Sequence, residues 1–578
     1  MSRSFTVVGI NYGGHDTSAA LMRDGQLLAA CEQERYTRDK HSRRFPTEAI
    51  QGCLDLANLT MPEVDVVAYA FEPLYHIREA YLRPAMSSRD RVGTLIHNIG
   101  RIEENFLIEN MIRDKTGFEG EIEYYNHHLC HLASTWYPSG FDEAVVVSFD
   151  GIGEIETGML AVGRNGLLDV FHRDSRFPDS LGLIYSAITH YLGWRHHCDE
   201  GIIMGLACYG DPTARIPGDD RRYYQVFEEI IQETSSYSYS VNPKWIAYHQ
   251  VRDKWVSDHF HEVFGEKREV SEPVTQHHKN IAAALQLRLE NLVLAQLERA
   301  SHETGLSRLC LSGGVALNCS MNGKIENSGI FEEIFIQPAS GDSGVATGAC
   351  FLAQKERTSS LEPRRMHNFY LGSKYSANEI ETALRDRGLY IEKPIDIYEQ
   401  TSVRLAEGKI VGWFQDRSEF GPRALGNRSI LTRPFPAEMK DVLNSRVKFR
   451  EDFRPFAPAV LYEYANDFFE IKQESAHMLI ASQATERARN EIPATVHVDN
   501  SCRVQTVKLE NNPRFYKLLS AFFENTGCPV LLNTSFNVKG QPIVDTPFQA
   551  IDCYLSTNID CLVLGDYFVE KIDKASEI

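Results

Sequence analysis

The chain has 578 residues, 43% hydrophobic and 24% charged, with a formal net charge of −19; this is globular composition at a length beyond one core, so two to four domains are expected. The acidic balance, with no Lys/Arg-rich tail, argues against a nucleic-acid backbone as partner. No apolar run reaches the ~20 residues of a membrane helix, MSRSFTVVGINYGGHD turns polar too early for a signal peptide, and twelve cysteines without a CxxC pair point to a reducing cytoplasm.

In chain order, FTVVGINYGG reads as a strand running into a glycine loop, and a hairpin turning at Asp24-Gly25 follows. HSRRFPTEAIQGCLDLANL reads as a helix with proline at its start. NHHLCHLASTWY predicts a helix with His127 and His131 at i and i+4 on one face, a bidentate metal half-site. His128 points about a quarter-turn away and is given no role. AVVVSFDGIGE then repeats the opening pattern, with a second hairpin at Asn165-Gly166, 141 residues after the first. A duplicated strand–loop–hairpin unit resembles the actin/sugar-kinase ATPase superfamily, in which each half offers one loop to the nucleotide phosphates.

SLGLIYSAITHYLGW is an apolar helix, EGIIMGLACYGD is expected to be a glycine-punctuated turn, and residues 213–275 an aperiodic insertion or lid. A long helix ending at SHETG feeds the strand of RLCLSGGVALN, and EEIFIQPASGDSGVATGACFLAQ gives strand, glycine-rich loop and helix. Residues 356–368 are polar and proline-containing, which sets the expected domains at 1–360 and 369–578.

Asp150 ends a strand and Asp342 sits in SGDSG after another, so both are expected to face one cleft with the histidine pair. Two imidazoles and two carboxylates suit Fe(II), Mn(II) or Zn(II), with positions left for phosphate oxygens. Gly313 and Gly314 offer bare backbone for the close approach of a nucleotide. In the C-terminal part, GKIVGWFQDRSEFGPRALGNRSILTRPF is a strand followed by a basic loop. Residues 417–454 hold nine Lys/Arg against five Asp/Glu, interleaved with Phe and Pro. Arg423, Lys448 and Arg454 are therefore expected to line a semi-buried site for a small anion.

GINYGGHDTSAAL, HHLCHLAS, SFDGIGE, LSGGVALNC and QPASGDSGVATG, with FQDRSEFGPRALGNRSIL, VKFREDFRPFAP, DNSCRVQTV and LLNTSFNVKGQPI, resemble the ATP-dependent O-carbamoyltransferases of antibiotic and nodulation-factor biosynthesis, in order over essentially the whole chain. One departure is Asp416 in FQDR, where that family usually has glycine. The resemblance implies an α/β protein: a duplicated actin/sugar-kinase-like (RNase H-like) ATPase domain, then a YrdC-like twisted-sheet domain. It implies that carbamoyl phosphate and ATP give carbamoyl-adenylate, from which the hydroxyl of a small natural-product acceptor takes the carbamoyl group.

The same resemblance assigns roles. His127, His131, Asp150 and Asp342 would hold a divalent metal, iron in that family, beside ATP that carries Mg²⁺. Asp150, Gly205, Gly313, Gly314 and Asn318 would contact ATP. Arg423, Lys448, Arg454 and Arg503 would bind carbamoyl phosphate, with Asn533 and Ser535 hydrogen-bonding the group. His15 would be the base that takes the acceptor's proton, a role suited to a side chain that titrates near neutrality. A sugar-kinase-like phosphotransferase leaves the basic pocket idle. A tRNA-modifying enzyme sits poorly with the net charge, and a hydrogenase-maturation enzyme with the missing CxxC pairs.

Overall fold

The computed structural model describes residues 4–87, 91–173, 175–235, 237–251, 253–358 and 361–571. The chain divides into two compact units, Met1–Gln33 with His41–Met366, and Glu34–Lys40 with His367–Ile578.

The first unit contains one five-stranded plan built twice. In the first copy β1 (Thr6–Asn11), β2 (Ser18–Arg23) and β3 (Gln26–Glu32) run antiparallel. On the other side of β1, β4 (Val66–Tyr69) and β5 (Glu121–Tyr124) add in parallel. The second copy starts with antiparallel β6 (Glu143–Phe149), β7 (Gly158–Arg164) and β8 (Leu167–His172). A separate ribbon, β9 (Ile231–Ser235) with β10 (Ser238–Val241), intervenes. Then β11 (Arg308–Ser312) and β12 (Glu333–Ile336) add in parallel beyond β6. The orders β3-β2-β1-β4-β5 and β8-β7-β6-β11-β12 are the same. Both hairpins turn through two consecutive left-handed residues, Asp24 and Gly25 (φ 51° and 79°) and Asn165 and Gly166 (φ 53° and 66°). That twist matches the flanking strands, which is why Asp-Gly and Asn-Gly mark such turns in sequence.

The helices of this unit used below are α1 (Thr47–Ala57), α2 (His127–Ser139), α3 (Leu181–Tyr191), α4 (Glu200–Ala207), α5 (Gln276–Thr304), α6 (Cys319–Ser328) and α7 (Val345–Arg357). α2 follows β5 as α7 follows β12, and the two helices pack against each other. A Cβ added at Gly348 would sit 1.8 Å from the Cys130 carbonyl oxygen, so α2 and α7 meet backbone to backbone.

Two sequence expectations are corrected here. The expected turn at 200–211 is mostly helix: α4 buries every residue from Ile202 to Ala207, and that burial outweighs Gly201 and Gly205. Residues 213–275, expected to be an aperiodic insertion or lid, carry regular structure of their own. They form a helix at Tyr223–Ile230, the β9/β10 ribbon and a helix at Asp258–Phe264. Their order comes from buried aromatic rings: Phe260 lies 4.6 Å from Phe264, and Trp245 lies 6.2 Å from both.

The second unit is a seven-stranded mixed sheet ordered β18-β15-β19-β14-β13-β20-β21. Its strands are β13 (Val411–Phe414), β14 (Arg428–Thr432), β15 (Ala457–Leu461), β18 (Gln505–Val507), β19 (Val530–Ser535), β20 (Cys561–Leu564) and β21 (Tyr567–Glu570); β16 (Ala481–Gln483) and β17 (Ser501–Arg503) pair separately. Two apolar cores accompany this sheet. Leu518, Leu519 and Phe522 of α8 (Pro513–Thr526) join one, and Ile551 and Tyr554 of α9 (Pro547–Ser556) join the other. The excursion Glu34–Lys40 is tied in by Arg35, which donates to the Gly421 carbonyl (2.6 Å), and by Arg38, which donates to those of Ile543 (2.6 Å) and Pro542 (2.8 Å). No feature of the sequence marks that crossing.

Just past β13, Asp416 is exposed and left-handed at φ 36°. The backbone there suits glycine. Asp416→Gly should raise unfolding stability by roughly 0.5–1 kcal/mol, the relief of left-handed strain less glycine's extra unfolded-chain entropy. Urea denaturation checks this; a drop in stability would show that the Asp416 side chain supports the loop.

Candidate metal centre and anion site

Asn126 caps α2 by accepting from the amides of His128 (3.1 Å) and Leu129 (3.2 Å), and the next residue begins the histidine face. His127 Nε2 lies 3.4 Å from Asp150 Oδ2 and 3.6 Å from Asp342 Oδ1; His131 Nε2 lies 3.7 and 3.9 Å from the same atoms. The four donor atoms all fall within 4.8 Å of one another. Both imidazoles are buried, and neither Nε2 has a hydrogen-bond partner. Buried nitrogens without partners, converging with two carboxylates, fit a divalent cation of the borderline transition series.

The surrounding chain fixes this geometry. Gly314 N–H donates to Asp150 Oδ1 at 2.7 Å. Gly313 is left-handed (φ 87°), and a Cβ there would come within 2.1 Å of the Phe149 carbonyl, so the bare backbone admits the end of β6 itself. Burial opposes a charge on His127, yet Asp150 and Asp342 raise its pKa to about 9. Asp150 is held well below the carboxylate range despite its burial, by the two imidazoles, whereas burial pushes Asp342 up. His128 is a satisfied core residue, with Nδ1 2.7 Å from Ser148 Oγ and Nε2 2.9 Å from the Glu156 carbonyl.

Sequence reasoning missed Glu154. It is fully buried and accepts from the amides of His127 (3.0 Å) and Glu72 (2.8 Å) and from Asn126 Nδ2 (2.9 Å), so it anchors the start of α2; burial pushes its pKa up to about 7. Its signal was an acid close in sequence to a strand-end aspartate, which spacing alone does not assign.

The loop after β1 carries His15. A Cβ at Gly14 would lie 3.3 Å from Asp342 Oδ2, which puts this loop against one of the four candidate ligands. Asp16, left-handed at φ 55°, bridges two histidines: His15 Nδ1 at 2.9 Å and His41 Nδ1 at 2.7 Å. Burial opposes the charge on His15, but Asp342 and Asp16 raise its pKa to about 9. His41 is pushed up to about 11, against its burial, by Asp16. A raised histidine stabilises the fold fully below its unfolded pKa near 6.5 and progressively less as pH climbs toward the folded value. The thermal midpoint of the wild type should thus fall between pH 6.5 and pH 11 more steeply than that of Asp16→Asn; parallel profiles would refute the pairing.

Two residues assigned to ATP lie in ordinary structural roles. Asn318 caps α6 by accepting from Met321 N (3.0 Å) and exchanges hydrogen bonds with Gln286. Gly205 is buried inside α4; its neighbour Met204 touches Cys319 at the start of α6, Sδ to Sγ 3.9 Å.

In the second unit the cations gather at the end of β19. Lys448 Nζ donates to the Ser535 carbonyl, to Asn537 Oδ1 (2.8 Å) and to the Asn537 carbonyl (3.0 Å). Burial first, then Arg450 and Arg454, depress Lys448 well below the lysine range. Arg450 is itself depressed by burial, Arg454 and Arg503. Cations that press on one another in this way mark a place for an anion. Arg450 was missed although it lies between Lys448 and Arg454 in the basic stretch; Lys40, which also bears on Lys448, was missed because it comes from a distant segment. Asn533 is buried, donates to Gln505 Oε1 (2.9 Å) and the Ala424 carbonyl (3.3 Å), and has no partner on Oδ1. Arg423 precedes Ala424 on that loop. The loop is organised by Glu419 Oε1, which accepts the amides of Leu425 (2.7 Å), Asn427 (2.9 Å) and Arg428 (3.1 Å). Among the described residues no helix is long and apolar enough to cross a membrane.

Residues 6–351 match the family model described as Carbamoyltransferase N-terminus, and residues 402–571 the one described as Carbamoyltransferase C-terminus. The chain belongs to the carbamoyltransferase family. This carbamoyltransferase is 38% identical over 570 residues to nodulation protein NolNO of Sinorhizobium fredii, covering 96% of the chain and 79% of the relative. It is 37% identical to the uncharacterized protein sll1178 of Synechocystis, covering 98% and 96%. It is also 29% identical to the 3'-hydroxymethylcephem-O-carbamoyltransferase of Streptomyces clavuligerus, covering 97% and 98%.

Proposed function

We propose that the protein is an ATP-dependent O-carbamoyltransferase that moves the carbamoyl group of carbamoyl phosphate, through carbamoyl-adenylate, onto a hydroxyl of a small-molecule acceptor. In this reading the first unit is the actin/sugar-kinase-like ATPase and the second is YrdC-like. The observation that carries it is the placing of the His15 loop against Asp342, which brings a candidate base to the candidate metal ligands.

Arg423, Arg454 and Arg503, with Asn533 and Ser535, hold carbamoyl phosphate, and Lys448 orders the end of β19 around it. Water attacks its phosphorus and breaks the O–P bond, giving carbamate and phosphate. A carbamate oxygen attacks the α-phosphorus of ATP, and pyrophosphate leaves. The acceptor oxygen then attacks the carbamoyl carbon, its proton passes to His15, and AMP leaves. His127, His131, Asp150 and Asp342 would hold a divalent cation, iron by family resemblance, which when bound neutralises and orients phosphate oxygens. Asp150, Gly313 and Gly314 serve the nucleotide, with Gly205 and Asn318 on the neighbouring helices; Mg²⁺ accompanies ATP. A base with a pKa near 9 is mostly protonated at neutral pH. Charge taken up at Asp342 lowers that value toward the useful range.

The products decide between this reading and γ-phosphate transfer. Carbamoyl phosphate and ATP should yield AMP and pyrophosphate, and ADP alone would overturn the proposal. Arg454→Ala and Arg503→Ala should each weaken carbamoyl phosphate binding about 10- to 150-fold, the worth of one charge-assisted contact, with ATP affinity nearly intact. Calorimetry showing wild-type affinity would reduce the basic cluster to a solvated face.

A further inference from the structure

Next to His15 the first unit carries a wall of rings that none of the proposed steps uses. The His197 ring lies 5.4 Å from that of His15. From His197 the wall passes to Trp255 at 5.3 Å and to His196 at 4.9 Å, and the His196–Trp255 pair is only 4.3 Å apart. Tyr248 stands behind Trp255 at 6.0 Å. The rings come from two places far apart in sequence: the segment before α4, and the aromatic insertion after β10.

Three features separate this wall from ordinary packing. Trp255, His196 and His197 are each only partly buried, so the ring faces are not closed into a core. His196 Nδ1 is nonetheless shut off from solvent without a hydrogen-bond partner. His197 is held left-handed at φ 56°, and Asp16 and His41, beside it around His15, are left-handed too at 55° and 57°. Strained non-glycine backbone of this kind persists where surrounding structure forces it, and it clusters at working sites.

We infer that the Trp255–His196–His197 wall is the acceptor-recognition surface, and that it selects an uncharged alcohol with a flat face, an aromatic ring or the C–H face of a sugar, over a polycation. The inference rests on the reading of His15 as the base. A flat ring stacked on the indole of Trp255 would be carried along the wall toward His15, with its hydroxyl leading. The wall is uncharged at neutral pH: burial, then neighbouring positive charge, hold His197 at about 3 and lower His196 as well. Arg43 bears on both histidines, and Lys267 Nζ sits 3.0 Å from Nε2 of His190, whose ring is 5.6 Å from His196. Acidic groups face both rings as well, Asp253 acting on His196 and Asp150 on His197. A wall without charge of its own offers an amine-rich acceptor no ion pair and leaves stacking and hydrogen bonding as the means of recognition.

The test uses the full chain and phenyl β-D-glucopyranoside as the probe, with kanamycin as the polycationic comparison, read by saturation-transfer NMR. Phenyl glucoside should bind the wild type with its ring protons most strongly saturated, and kanamycin at least tenfold more weakly. Trp255→Leu keeps apolar bulk and should weaken the probe about 3- to 10-fold, the worth of one aromatic stacking contact, while Trp255→Phe restores most of the binding. Absence of probe binding to the wild type, equal binding to Trp255→Leu, or a preference for kanamycin would each overturn the inference. Pyrophosphate release by the wild type from ATP and carbamoyl phosphate is measured alongside. If that release fails, the underlying enzymatic reading falls; if it proceeds while the probe results go the wrong way, only the acceptor surface is wrong.

Discussion

His15→Ala should slow carbamoyl transfer to the acceptor by ~10²–10⁴-fold, the usual worth of a positioned general base, while pyrophosphate release in the absence of acceptor falls far less. The geometry gives this prediction its edge. Removing His15 leaves Asp16 its stronger partner, His41 at 2.7 Å, so the loop keeps one anchor of the pair. His15→Asn preserves size and polarity but cannot take the proton, and it should not rescue transfer. A histidine that merely shaped the loop would lower both half-reactions together, or the melting temperature before either. Single-turnover assays of the two steps, with thermal midpoints as control, separate these outcomes. Full-rate transfer by a stable His15→Ala protein would end the assignment.

The second large effect concerns metal. Purified wild type should contain close to one divalent transition metal per chain, and the His127→Ala/His131→Ala protein should contain only background. His128→Ala is the informative control. Its nitrogens are already bonded to Ser148 and the Glu156 carbonyl, so its loss should cost stability and spare metal content. A proton competes with the metal for His127, whose pKa stands near 9. Retention against a fixed chelator should therefore weaken as pH is lowered from 9 toward 6. Equal metal in wild type and double variant would remove the site.

What was readable in the sequence was what local chemistry dictates. Asp24-Gly25 and Asn165-Gly166 declared their hairpins because two consecutive positive φ values admit few residue types. The i, i+4 spacing of His127 and His131 placed both imidazoles on one helical face before any fold was known. Asp150 stood out at the end of a strand and Asp342 in the glycine-rich loop after one, and the structure gathers all four donors. The misread stretch at 200–211 failed because Gly201, Gly205 and Gly210 drew attention from the apolar run they punctuate, which α4 buries. Glu154, Lys40 and the ring wall at Trp255 were beyond reach for another reason. Each matters through neighbours far along the chain, and one sequence does not record those distances. Glu34–Lys40 is the extreme case, a seven-residue loan from one unit to the other whose sequence, ERYTRDK, reads as a charged surface segment.

The repeated five-stranded plan bears on how a one-sided reaction came to sit in a two-fold framework. The loop after β1, with His15 and Asp16, and the loop after β6, with Asp150, occupy equivalent positions. So do α2, which carries His127 and His131, and the entry to α7, where Asp342 stands. A symmetric dimer of one such half would present every group twice across its axis, two bases and two sets of ligands. Once both halves lie on a single chain, equivalent positions are free to diverge, and here one loop carries an imidazole where its twin carries a carboxylate. The close crossing of α2 and α7 at Gly348 is then the seam of that partnership. A methyl group there would spread the two halves apart, and with them the donors that each supplies.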